Sequence, residues 1–270
     1  MSESQEKTKI NYFILIFRII SIIVIVICLY VIYLWDLDNR KNNSLQDSLN
    51  DFIVTNPTDS NLDESFSPVY TKTVDNDGIS IEQFTIDFNS LLEQNEDCIG
   101  WVRILDTNIS YPIVQSEDNT FYLTHNFEKN KNGAGWIFAD YRNNFDFLDK
   151  NTIVYGHNRR NGTMFSNLQY YLDSNFSNNP EHKYINFNTK KGPYLAEVFS
   201  VYKVSSDDVE LYCNYSTASE FAETINNWKN NSLYDFNTEV TSSDNVLTLY
   251  TCDDNTEYRI LLHAKLIKLY

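Results

Sequence analysis

The longest apolar run lies near the start of the chain, where residues 12–35 read YFILIFRIISIIVIVICLYVIYLW with Arg18 as the one charge. As a helix rising about 1.5 Å per residue, this run reaches roughly 36 Å, enough to cross a bilayer core with some tilt. It has no polar face, which sets it apart from a helix on the edge of a soluble core. It also exceeds the apolar segment of a signal peptide, and LWDLDNRK follows without a small-x-small cleavage site. The pattern therefore predicts a retained membrane-spanning helix. Residues 36–80 then turn polar, rich in Asn, Asp, Ser and Thr with Pro57 and Pro68, and read as a stalk containing a short helix near 44–52. Around residues 80–95, Phe84, Phe88, Leu91 and Leu92 recur at helical spacing, which predicts an amphipathic helix leading into the domain.

Beyond residue 95 the period changes. CIGWVRIL, ISYPIVQ, GAGWIFAD, NTIVYGH, KYINFNT, YLAEVFSVYKV, NVLTLYT and YRILLHAKLIKLY are short runs rich in Val, Ile, Tyr and Phe, parted by Asn, Asp and Gly. Such spacing predicts a mostly β domain, a closed or nearly closed barrel. Two helical insertions fit between the runs, near 163–172 and at SEFAETINNWKNN, 219–231.

Composition narrows the function. The formal charge of −16 would repel a phosphate backbone, which excludes nucleic acid as a partner. The four cysteines do not form a disulfide scaffold: Cys28 lies in the apolar span, and Cys98, Cys213 and Cys252 leave at least one thiol without an intramolecular mate. No His/Cys cluster has metal-ligand spacing, so neither a metal nor another cofactor is expected.

Candidate chemistry gathers at the C-terminal end, in TLYTCDDNTEYRILLHAKL. Period-2 alternation puts Thr248, Tyr250 and Cys252 on one strand face and Leu247, Leu249 and Thr251 on the other. Cys252 thus sits at a strand end facing polar neighbours, an unusual place for a merely structural thiol. A free thiol, with a pKa of about 8.5, is only a few per cent thiolate at neutral pH, and a nearby cation raises that fraction. Arg259 opens the next strand, so a hairpin would return its guanidinium beside Cys252. Being permanently protonated, it could stabilise a thiolate or a developing oxyanion but could not act as a base. Of the four histidines, His157 ends NTIVYGH where a strand opens into a loop. His125 and His182 lie in polar surroundings and read as solvated, and His263, further along the Arg259 strand, reads as structural. Spacing alone leaves the choice of His157 open.

The chain also resembles a known family. TLYTC followed by Arg259 resembles the T-L-x-T-C…R signature of sortases, membrane-anchored cysteine transpeptidases of Gram-positive surfaces. NEDCIGWVRILDTNISYPIVQ, DNTFYLTHNF, GAGWIFADYRN and NTIVYGHNRRNGTMFSNL resemble class B blocks and occur in the same order, from about residue 86 to 270. The resemblance implies a barrel of about eight strands with peripheral helices and an N-terminal helix, behind a single membrane anchor. It implies Cys252 as nucleophile, His157 as general acid/base and Arg259 as the oxyanion-stabilising cation, with Asp254 in a supporting place. Tyr250 departs from the pattern, because class B members often carry Ser there.

Lys7 and Lys9 before the span balance Arg40 and Lys41 after it, so the positive-inside count alone leaves orientation open. The resemblance resolves it: residues 1–11 become a cytoplasmic tail, 12–35 the anchor, 36–80 an extracytoplasmic stalk and 81–270 the catalytic domain facing the cell wall. The implied partners are surface proteins bearing a C-terminal sorting motif, cleaved after Thr through a thioacyl-enzyme, with an NPQTN-like motif favoured. The implied acceptor is an amine of a cell-wall precursor or a pilin. The insertion at 219–231 would roof the groove, and the loop at 158–163 would border it. A catalytically inactive peptide-binding module on the same barrel is the alternative. The L,D-transpeptidases, which also work on cell walls through a thiol, are disfavoured because TCDD lacks their S-H-G-C pattern.

Overall fold

The computed structural model describes residues 12–54, 71–74, 79–82, 84–252 and 257–269. It divides into two compact units, residues 1–41 and 42–270. In chain order its elements begin with helix α1 (Tyr12–Asn50), then strands β1 (Ile53–Val54), β2 (Thr71–Val74), β3 (Ile79–Glu82) and β4 (Thr85–Ile86), and helix α2 (Phe88–Gln94). There follow β5 (Cys98–Ile104), β6 (Ser110–Val114), β7 (Phe138–Ala139), β8 (Asn151–Gly156), helix α3 (Ser174–Ser177), β9 (Tyr184–Thr189) and β10 (Gly192–Ser205). Helix α4 (Ala218–Asn231), β11 (Asn245–Cys252) and β12 (Tyr258–Lys268) complete the order.

The first unit carries the apolar run, long and apolar enough to cross a membrane, with none of its most apolar window buried. The helix does not stop at residue 35, and the short helix expected near 44–52 is its last turns. In the second unit, residues 42–50 are anchored rather than stalk-like. Leu49 is fully buried. The Tyr111 hydroxyl donates to Gln46 Oε1 at 2.8 Å, and the Ser110 hydroxyl to Asn50 Oδ1 at 2.9 Å. The lead-in is shorter than the helical spacing predicted: β2 pairs with β3, and Ile53 of β1 pairs with Ile86 of β4, so the helix itself begins only at Phe88. Asp87 caps it by accepting from the Ser90 amide at 3.1 Å, a bond that favours a helix start at that point over one further upstream.

The expected barrel is present and closed, in the order β10-β12-β11-β8-β7-β6-β5-β9. Of the eight predicted runs, GAGWIFAD contributes the least, with only Phe138 and Ala139 in the ladder. Gly135 takes a left-handed backbone at φ +59°, so the segment around it turns instead of pairing. Inside the barrel, Val102, Ile113, Val154, Leu247, Leu249, Ile260 and Leu262 are buried together. A second core lies where α4 packs on β10, β11 and β12: Phe221, Ile225 and Trp228 meet Phe199, Tyr202, Val246 and Leu261. The insertion near 163–172 forms a 3-10 run, Ser166–Leu172, followed by α3.

His263 belongs to the second core. It is fully buried, stacks on Trp228 at 4.1 Å, and has Nδ1 2.9 Å from the Thr248 hydroxyl. That hydroxyl donates to Asn151 at 2.6 Å, so it accepts the imidazole N–H, and the ring is neutral. Burial pushes its pKa down from 6.5 to about 3. Because the unfolded chain binds this proton more readily, stability is lost as pH falls from about 6.5 towards about 3 and is independent of His263 above that window. Urea midpoints measured from about pH 8 down to about pH 4 should therefore decline below about 6.5, and less steeply in a His263→Asn variant.

Candidate active site

Three neighbouring strands bring the predicted positions together. β11 runs between β8 on one side and β12 on the other. Its pairing with β8 is parallel, with Val154 beside Leu249, Tyr155 beside Tyr250 and Gly156 beside Thr251. Its pairing with β12 is antiparallel and ends with Cys252 directly opposite Arg259. Strands in a ladder lie about 4.8 Å apart. The backbone of Cys252 therefore sits at the common rim of three strands, with Arg259 on one flank and His157, the first residue past β8, on the other.

His157 is half-buried and held from a distant segment. Its Nε2 lies 2.9 Å from the carbonyl oxygen of Leu123, the last residue of a 3-10 turn, Phe121–Leu123. A carbonyl oxygen can only accept, so Nε2 is a ring nitrogen that carries a proton. The turn is itself fastened. Asp118 accepts from the Thr120 amide at 2.7 Å and the Phe121 amide at 2.8 Å, and these bonds hold its carboxyl below the usual range. On the strand side, Gly156 leaves no room for a side chain: a Cβ would stand 2.5 Å from Ile137 Cδ1 and 2.7 Å from the Phe165 ring. The Phe165 amide donates to the His157 carbonyl at 3.0 Å, closing the loop that follows.

Arg259 is tied by two of its N–H groups. Nε donates to the Tyr250 hydroxyl at 2.9 Å, and Nη1 to the Tyr258 carbonyl at 3.0 Å. Tyr250 stands edge-on to Tyr155, ring centroids 5.2 Å apart at 75°. The Tyr155 hydroxyl donates to Asp140 Oδ2 at 2.8 Å. Asp140 is fully buried and grips Arg142 bidentately, at 2.8 Å from Nε and 2.7 Å from Nη2. Burial works to raise the Asp140 pKa, but the bonds from Arg142 and Tyr155 hold it below the ordinary carboxylate value. Burial and this carboxylate together push the Tyr155 phenol up, so it stays protonated and donating.

A family model described as the sortase domain matches residues 102–267. The chain is 38% identical over 202 residues to sortase B of Listeria monocytogenes, covering 74% of this chain and 81% of that protein. Crystallographic sortase B from Bacillus anthracis aligns with a TM-score of 0.70 at 31% identity, over 86% of this chain and 99% of that one. A Staphylococcus aureus sortase B–substrate complex aligns at 0.65 with 35% identity, over 68% and 85%. The chain belongs to the sortase family, class B. Sortases are membrane-associated cysteine transpeptidases that act on proteins bearing a sorting motif.

The remaining histidines and cysteines sort by burial. The expectation that His125 and His182 are solvated fails. His182 is buried, stacked on Phe176 at 3.8 Å, with Nε2 3.0 Å from Asp106. His125 is half-buried and stacks on Phe121 at 4.1 Å. An aromatic ring four to six residues earlier in the chain, Phe121 for His125 and Phe176 for His182, stacks on each imidazole. His263 is structural, as expected. Cys98 and Cys213 are free buried thiols. Burial pushes both up to about 12, helped at Cys213 by Asp140. Asp254 lies outside the described residues.

Asp140, Tyr155, Asn119 and the Leu123 carbonyl were not picked out from sequence. Asp140 ends GAGWIFAD two residues before Arg142, and an acid–x–base pair reads the same whether buried or solvated. Asn119 donates to Asp140 at 3.0 Å and accepts from the Tyr141 amide at 2.9 Å, so DNTFYL and ADYR are joined through side chains that sequence spacing does not pair.

Two outcomes follow for experiment. Peptide mapping of the full chain after brief alkylation near neutral pH should show Cys98 and Cys213 unlabelled until the domain is unfolded, since a thiol at about 12 is almost wholly protonated there. Gly156→Ala should lower stability by about 1–3 kcal/mol in denaturant titration, because Ile137 and Phe165 must shift in a packed core.

Proposed function

We propose that this chain cleaves a C-terminal sorting motif after its threonine and transfers the acyl group to an amine of a cell-wall precursor or pilin. The observation that carries the reading is the ladder register, in which Gly156 adjoins Thr251 and Cys252 faces Arg259. In this reading the Cys252 thiolate attacks the threonine carbonyl carbon, and the C=O electron pair moves onto oxygen. The Arg259 guanidinium stabilises that oxyanion. As the intermediate collapses, the C–N bond breaks and His157 gives a proton to the departing amine, leaving a thioester. The incoming amine then loses a proton to His157, attacks the thioester and releases Cys252 as thiolate. An NPQTN-like peptide is the motif proposed. Asp254 and Tyr250 are assigned supporting places.

The helical run over residues 12–35 is proposed as the membrane anchor, with residues 1–11 in the cytoplasm and the barrel facing the cell wall. The polar segment that follows is proposed to act as a spacer only beyond Asn50, because residues 42–50 pack with the barrel. Residues 158–163 and the insertion carrying α4 are proposed to border the peptide groove. The packing of Val209, Leu211 and Tyr215 from that insertion into the same cluster as Tyr250 supports the second assignment.

Turnover of a fluorogenic NPQTN peptide tests the reading. Cys252→Ala should abolish cleavage and the mass-detected thioacyl adduct, His157→Ala should cost about a hundredfold or more, and Arg259→Lys about a hundredfold. The pH–rate profile should be bell-shaped, since one group must be deprotonated while another is protonated. Peptide binding without turnover would favour the inactive module.

A further inference from the structure

Tyr250 stands two residues before Cys252 on β11 and meets Arg259 from the neighbouring strand. From the geometry of this contact we infer that Tyr250 is a positioning residue: its hydroxyl accepts the Nε–H of Arg259 and sets the plane in which the guanidinium meets the reacting carbonyl. The inference rests on the reading of Arg259 as the oxyanion-stabilising cation and adds to it the means by which that cation is aimed.

An arginine side chain has four rotatable bonds before its planar head, so one fixed partner along the chain leaves the head free to swing. Here two partners hold it at different atoms, Tyr250 at Nε and the Tyr258 carbonyl at Nη1. A planar group held at two of its nitrogens has a defined plane. The Tyr258 contact is local and moves with Arg259 itself. The Tyr250 contact comes from another strand, so it ties the guanidinium to the strand that carries Cys252.

Tyr250 is fixed in turn. Its ring is half-buried at the edge of the second core and packs edge-on against Tyr155 at 5.2 Å. Tyr155 is held at its hydroxyl by Asp140 at 2.8 Å, and Asp140 by Arg142 at 2.7 Å. The orientation of Arg259 is thus referred, through two aromatic rings, to a fully buried carboxylate on the far side of β8. A serine at position 250 has neither the reach of a phenol nor a ring to lean on Tyr155, so a chain with serine there would aim its arginine differently. The large residue at this place therefore does orientation work and is more than a filler of groove space.

The test is Tyr250→Phe in the full-length chain, assayed with a fluorogenic NPQTN peptide. The ring packing is retained, so the thermal midpoint should stay within about 2 °C. A loss of about tenfold in kcat with KM within about twofold is expected, because orientation of an oxyanion donor matters in the transition state and little in substrate binding. In an Arg259→Lys background the same substitution should be silent, the non-additivity expected of residues acting as a unit. Nitrogen-15 NMR of the arginine Nε–H groups should show the Arg259 proton exchanging with water at least about fivefold faster in Tyr250→Phe. Unchanged exchange would overturn the inference, as would a rise in KM with kcat intact, which marks a groove wall. If Arg259→Lys itself leaves kcat unchanged, the oxyanion reading fails while the exchange rate still decides whether Tyr250 holds the guanidinium.

Discussion

The parallel pairing of β8 with β11 is the constraint on which the rest of the structure turns. Parallel neighbours cannot be joined by a tight turn, so the chain must travel from one end of the barrel to the other between them. Residues 157–244 make that journey, carrying β9, β10 and α4 along the way. The crossover returns position 252 to the level of position 157, and the antiparallel pairing with β12 sets Arg259 opposite Cys252. A one-residue slip in either ladder would reverse every alternating side chain. The buried row Leu247, Leu249 and Thr251, with Leu262 and Ile260 opposite, opposes such a slip because it would expose that row to water.

Around this rim the polar groups are fastened by partners distant in sequence. Asp140 is the centre of that fastening, taking bonds from Arg142, Tyr155 and Asn119. A buried carboxylate without such partners would be strongly disfavoured; with them it is a rigid reference point. The Leu123 carbonyl plays a comparable part for His157, accepting the proton that Nε2 carries. Geometry at the rim is thus held by β8 and by loops that precede it, in addition to β11 and β12.

The second core explains why the insertion before β11 is ordered. α4 presents Phe221, Ile225 and Trp228 at helical spacing, and these cover Leu261, Val246 and His263 on the outside of the barrel. Thr217 caps the helix by accepting from the Glu220 amide at 3.1 Å. A barrel strand that carries apolar residues on both faces needs such a cover, and β11 and β12 both do. The burial of a neutral imidazole in this cover makes the same region sensitive to acid.

What could be read from the chain alone was whatever depends on local pattern. Strand positions followed from period 2, the apolar run from its length, and the family from ordered blocks around TLYTC. Where local pattern competed with pairing, it misled: Phe84 to Leu92 has helical spacing, yet residues 79–82 and 85–86 pair as strands because partners in β2 and β1 are available. His182 looked solvated among Pro, Glu and Lys, but Phe176 and Asp106 enclose it. Sequence by itself determined the barrel class and named the thiol, imidazole and guanidinium worth watching. Only the tertiary structure decided that positions 157, 252 and 259 share one rim, and that Tyr250, Tyr155 and Asp140 stand behind Arg259. The reason is physical: register and side-chain contact are set by closing long loops against a packed core, and neither is a property of residues near one another in the chain.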